Sequence, residues 1–265
     1  PERFDKEASV DPYPAGFTAG HRFLVVCRHD REKRLEHLIQ LFSERIFPRC
    51  REATLTLIGD GHEHEKLKAL ALCAPDPTRF HFAGEQPHES LVDWYRHADV
   101  FTYTSLSETF GNVINEALWC GLPVVALDDK MGVAHQLEDG LNGALIAPLC
   151  ADSDERFAEA CLALADAPER RKALGAYAAK RAREISHPDL IISRFEAIYG
   201  RAFAHCKASV PRPLALATKA AQMRAFAFHM SRWAWGHAAI LGLAYTAAHI
   251  GVGRTSADAQ GAQRT

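Results

Sequence analysis

The sequence has little that would suggest a stapled, metal-bound or strongly charged protein. Its seven cysteines, at positions 27, 50, 73, 120, 150, 161 and 206, include no CxxC pair. An odd, scattered set argues against a closed disulfide framework and against a zinc or redox motif, so a reducing, cytoplasmic setting is the default. The formal net charge is only -2, which provides no global attraction to nucleic acid. Nothing after Pro1 resembles a charged, apolar, small-residue signal peptide, and an opening proline in place of methionine is what a fragment would show. The turn Gly59-Asp60-Gly61 does not match GxGxxG, which speaks against a nicotinamide enzyme.

What is present is a globular chain of 265 residues, 48% hydrophobic, enough for one large or two small domains with a real core. Residues 1–20, with Pro1, Pro12 and Pro14, suit a linker better than a buried element. From residue 21 onward, short apolar runs alternate with helically spaced apolar residues. The strands expected are 23–27, 54–58, 79–83, 99–103, 122–126 and 144–146, with helices over 35–42, from about 64, over 91–95 and over 112–119. Alternation of this kind, with strands apolar on both faces, predicts an α/β fold: a doubly wound, Rossmann-like parallel sheet covered on both sides. Ligands in such sheets sit at the carboxyl ends of the strands. Residues 151–200 are expected to close this 21–200 domain as helices, with a break at Asp166-Ala167-Pro168. The tail 201–265 is expected to be basic, Ala-rich and helical, with no Asp or Glu between 201 and 254.

The most informative stretch runs from Glu108 to Glu116, Glu-Thr-Phe-Gly-Asn-Val-Ile-Asn-Glu. Glu108 falls in the loop after a strand, and Glu116 about one turn into the next helix. Gly111 between them allows close approach to the backbone, and the free amides of Asn112 and Val113 at the helix start form an anion site. Two carboxylates flanking a bound phosphate suit a ligand that carries hydroxyl groups on both sides of a diphosphate, as a sugar nucleotide does. Arg28 and Lys33, after the first strand, are placed to offset charge on a nucleoside diphosphate leaving group.

These elements, in this order, resemble the carboxyl-terminal, donor-binding domain of the GT-B glycosyltransferases, in particular glycosyltransferase family four (group 1). The resemblance covers roughly residues 1–200. It includes Arg28 with Lys33, the glycine turn Gly59 to Gly61, the Glu108 to Glu116 motif, Pro123-Val124-Val125-Ala126 and the late turn Asp139 to Gly143. It implies a retaining, metal-independent hexosyltransferase without a cofactor, whose co-substrate is a nucleotide diphosphate sugar. The acceptor would be a glycan, a lipid-linked molecule or a small molecule. By the same resemblance Glu108, Arg28 and Lys33 are catalytic. Glu116, Gly111, Asn112, Val113, Phe110, Gly59, Gly61 and Gln86 bind the donor, with Glu116 on the ribose and Gly84 to His88 near the base. Cys27 and Arg34 depart from the family's usual glycines, and His135 stands where many relatives carry an acid.

Other readings compete with these. Either glutamate taken singly is more often a solvated residue, and Arg28 to Arg34 is also a plain charge run. His62-Glu63-His64-Glu65 looks like a metal cluster, but its histidines point to different helix faces, so no metal is expected. Asp128-Asp129 reads as an ordinary turn. The tail, with Trp233 and Trp235, suits either an anionic membrane surface through 201–254, which would make the protein peripheral on a membrane's inner face, or packing on a further domain. Alternatives to a transferase are a non-catalytic nucleotide-sugar-binding module, a sugar-nucleotide epimerase and a nicotinamide oxidoreductase.

Overall fold

The computed structural model describes residues 2–5, 10–17, 20–208 and 223–224. Six strands form one sheet: β1 (His21–Val26), β2 (Ala53–Ile58), β3 (Phe80–Gly84), β4 (Val100–Tyr103), β5 (Val124–Leu127) and β6 (Gly143–Ile146). All neighbours pair in parallel, in the order β3-β2-β1-β4-β5-β6. The expected doubly wound, Rossmann-like sheet is therefore the observed one. All six residues of β2 and all four of β4 and β5 are buried, because helices cover both faces and no strand side is left for water. β5 begins two residues later than the apolar run suggested. Pro123 has no N–H to give the ladder, although its carbonyl accepts from the Phe101 N–H at 2.9 Å.

The helices are α1 (Leu35–Leu41), α2 (His64–Leu72), α3 (Leu91–His97), α4 (Asn112–Trp119), α5 (Ser153–Ala165), α6 (Pro168–Ser186) and α7 (Pro188–Ala208). Phe157, Cys161 and Leu164 form the buried face of α5, as their spacing predicts. Residues 1–20, expected to serve as a linker rather than a buried element, nevertheless place Phe4 and Tyr13 in the core at 4% and 5% exposure. The Tyr13 ring packs on Trp94 with centroids 4.8 Å apart, and Asp5 accepts from Trp119 Nε1 at 3.0 Å and from Arg183 at 2.7 Å. Aromatic burial there overrides the proline-rich composition.

The chain divides into two compact units, 1–197 and 198–265, and the sheet lies wholly in the first. Helix α7 carries regular structure to Ala208; the rest of the expected basic tail, apart from Met223 and Arg224, lies outside the described residues. Among the described residues no helix is long and apolar enough to cross a membrane.

Candidate functional site

The strand order reverses between β1 and β4. Loops leaving these two strands must diverge to opposite sides, which opens a crevice at their carboxyl ends. Residues 27–34 leave β1 and residues 104–111 leave β4. Thr104 Oγ1 stitches the two loops by donating to the carbonyls of Lys33 and Arg34 at 3.1 and 3.2 Å. Arg34 takes left-handed backbone (φ 56), which is the conformation that favours the glycine usual at this position in the resembling family.

Lys33 and Glu108, 75 residues apart in sequence, meet in this crevice. Lys33 Nζ lies 2.5 Å from Glu108 Oε1, and Tyr103 OH donates to the same oxygen at 2.9 Å. Both charged side chains are mostly buried, at 13% and 12% exposure. Burial alone would raise the Glu108 carboxyl, but hydrogen bonding, from Lys33 first and then from Ser105 and Tyr103, outweighs it and holds the group below its ordinary range. The Tyr103 phenol is pushed up by burial first and then by the neighbouring Cys27 and Glu108.

The rest of the expected site is arranged around that pair. Gly111 is left-handed (φ 77) and caps α4 without a side chain, so the N–H groups of Asn112 and Val113 are offered at the helix start with no intrahelical acceptor. Phe110 is 46% exposed at the same rim, and its carbonyl accepts from the Gln136 side-chain amide. Glu116 is buried on α4. Tyr95 OH on α3 donates to its Oε2 at 3.0 Å, and His88 Nε2 approaches Oε1 to 3.8 Å.

Two clefts meet at Leu91. One, of about 490 Å³, holds His88, Asn112, Val113 and Glu116. The other, of about 390 Å³, holds Arg28, Gly59, Gly61 and Gln86. Gln86 Nε2 is engaged by the Ala83 carbonyl at 2.6 Å. A Cβ at Gly59 would lie 1.9 Å from the Cys27 carbonyl, so the close approach it permits is that of β1's own end.

Lys33 is brought to Glu108, but Arg28 is not. Its guanidinium is 72% exposed and bridges Asp30 at 2.7 Å and Glu32 at 3.2 Å. Among the described residues, the His62 to Glu65 run included, no three His, Cys, Asp or Glu side chains come together as a metal-holding group. His64 instead stacks on the fully buried His29 (centroids 4.9 Å apart), with their Nδ1 atoms 2.8 Å apart, and burial followed by the neighbouring His64 depresses the His29 pKa to about 4. Sequence reasoning passed over Tyr95, Tyr103, Gln136 and Asp129. Tyr103 carried a usable signal, as the last residue of a strand five positions before Glu108; the others had none.

A family profile described as glycosyl transferases group 1 matches residues 18–181. The D-inositol 3-phosphate glycosyltransferase of Kribbella flavida is 39% identical over 128 residues, which are 47% of this chain and 29% of that protein. Among solved structures, sucrose-phosphate synthase from Thermosynechococcus elongatus is similar with a TM-score of 0.63 at 25% identity, over 71% of this chain and 47% of that one. The Anabaena protein HepE in complex with UDP shares the fold with a TM-score of 0.61 at 21% identity, over 70% of this chain and 50% of that one. This chain thus spans half or less of each of these relatives. With the family profile covering more than half of its residues, and a Rossmann-like sheet of the GT-B kind beneath them, the chain belongs to the group 1 glycosyl transferases.

Proposed function

We propose that this chain is the donor-binding half of a retaining glycosyltransferase that moves a hexose from a nucleotide diphosphate sugar to an acceptor hydroxyl. The observation that carries the reading is the Lys33–Glu108 pair at the strand-order reversal, beside the open amides of α4 and within the stretch that ends at Glu116. A diphosphate seated on the Asn112 and Val113 amides has Lys33 within reach on one side, where the ammonium balances charge building on the leaving group. Glu108 then faces the sugar hydroxyls and Glu116 the ribose, each carboxylate accepting hydrogen bonds. Gln86 and Gly84 to His88 border the base. UDP in the related Anabaena structure supports a nucleoside diphosphate as the ligand.

On this reading the positive charge comes from Lys33, Arg28 and the helix terminus, with no metal or cofactor. Acceptor recognition comes from a second domain closing over the donor, and the protein works in the cytoplasm. Calorimetric titration with UDP, GDP and NAD tests the reading. A nucleoside diphosphate should bind tighter than NAD, and the chain alone should not transfer sugar. Preference for NAD overturns the nucleotide-sugar reading, and full-rate transfer by this chain overturns the half-site reading.

A further inference from the structure

Asp129 follows β5 in what the sequence presents as an ordinary turn, yet its carboxylate is buried at 7% exposure and accepts four backbone N–H groups. Oδ1 takes Met131 at 2.9 Å and Ala134 at 3.1 Å; Oδ2 takes Val133 at 3.2 Å and Glu108 at 3.3 Å. Three of these close Asp129's own turn. The fourth crosses 21 residues to the backbone of Glu108. The same turn returns a second bond, from the Gly132 N–H to the Glu108 carbonyl at 2.8 Å. A Cβ on Gly132 would lie 2.7 Å from both the Glu108 carbonyl and the Phe110 backbone, so the two segments are in direct contact. Both polar groups of the Glu108 backbone are therefore held by residues 129–132, while Lys33 and Tyr103 hold its carboxylate.

Four amide donors arranged two per oxygen require a carboxylate. An asparagine would present its own NH₂ to one pair of them and leave those donors facing a donor. Capping the turn alone would need fewer acceptors, as serine shows in many such turns. The extra reach is spent on Glu108.

We propose that Asp129 is a positioning residue for donor-sugar recognition: it sets the backbone from which Glu108 reaches the sugar hydroxyls, and so contributes to affinity for the sugar but not for the nucleotide. The proposal rests on the donor-binding reading above. The test compares Kd for UDP, UDP-glucose, GDP and GDP-mannose in wild type, Asp129→Asn, Asp129→Ser and the neighbour control Asp128→Asn, whose carboxylate is bonded to Lys130. Asp129→Asn should keep the affinity for bare nucleotide within about twofold and reduce the gain from the attached sugar about tenfold, the effect of misplacing a charged hydrogen-bond acceptor. Asp128→Asn should change neither. Serine retains a turn acceptor but cannot span both pairs of amides, so Asp129→Ser should show the same split if the asparagine variant fails to fold.

An unchanged sugar gain in either folded variant overturns the proposal, as does parallel loss of nucleotide and sugar-nucleotide binding, which would mark a purely structural role. A wild type that binds none of the four ligands overturns the donor-binding reading itself, and the proposal with it.

Discussion

The two ends of the Glu108 to Glu116 stretch carry the same side chain in opposite settings. Glu108 lies on an irregular loop, pinned through its backbone by the β5 turn and through its carboxylate by a lysine from β1's loop. Glu116 lies inside a regular helix and receives the phenol of Tyr95, whose own pKa is driven well above its usual value by burial and then by the Glu116 charge. A carboxylate on a loop needs a network to hold its direction, whereas one on a helix inherits its direction from the backbone. On the donor-binding reading proposed above, the network around Glu108 would bring charge to a diphosphate. The phenol beside Glu116 leaves a carboxylate suited to neutral hydroxyls.

The largest effect that would break this contrast is loss of the cation. Lys33→Met leaves a mostly buried carboxylate without its counter-charge and should destabilise the fold by about 3 kcal/mol, measured by urea unfolding, while also weakening UDP binding. Acid should act next, through the His29–His64 stack. His29 is held neutral in the fold with a pKa near 4, below the 6.5 of an exposed histidine, so the unfolded chain takes up the proton first. Stability is then fully present above about pH 6.5 and falls as pH drops toward 4, by about 2 kcal/mol at pH 5. The lowered Glu108 carboxyl adds to the loss in the same direction at lower pH. Unfolding of His29→Leu should show a shallower slope between about pH 6.5 and 4, the remainder coming from His37 and His81, which burial also lowers; an unchanged slope would place the acid sensitivity elsewhere.

On the other side, Tyr95→Phe removes one neutral donor from Glu116 and should cost about 1 kcal/mol. A cost equal to that of Lys33→Met would erase the distinction between the two ends. The smallest effect on folding belongs to Arg28→Ala. Its guanidinium is itself exposed and solvent-screened, so the unfolding midpoint should barely move. Its affinity for UDP should still fall, and an unchanged affinity would remove Arg28 from the donor site.

Much of this was legible along the chain. The bounds of α4, the glycine before it and the strand–loop–helix order around both glutamates follow from local patterns, because helix and strand periods and a left-handed glycine are properties of a few consecutive residues. The charge run Arg28 to Arg34 was legible only as a mixture. Nothing local separates Lys33, which turns inward to Glu108, from Arg28, which turns to Asp30 and Glu32. Phe4 and Tyr13 were hidden by neighbouring prolines, and Asp129 by its resemblance to any turn aspartate.

The sequence by itself determined the α/β order, the loops that face the ligand end of the sheet and the two glutamates eight residues apart. Tertiary structure decided which cation meets Glu108, which phenol meets Glu116 and what Asp129 holds. These contacts join residues from 21 to 75 positions apart. The Lys33–Glu108 and Asp129–Glu108 contacts exist because β1 pairs with β4 and β4 with β5, which sets the loops after these strands side by side, and the Tyr95–Glu116 contact because α3 and α4 bring these side chains together, facts of tertiary structure that no short window of residues contains.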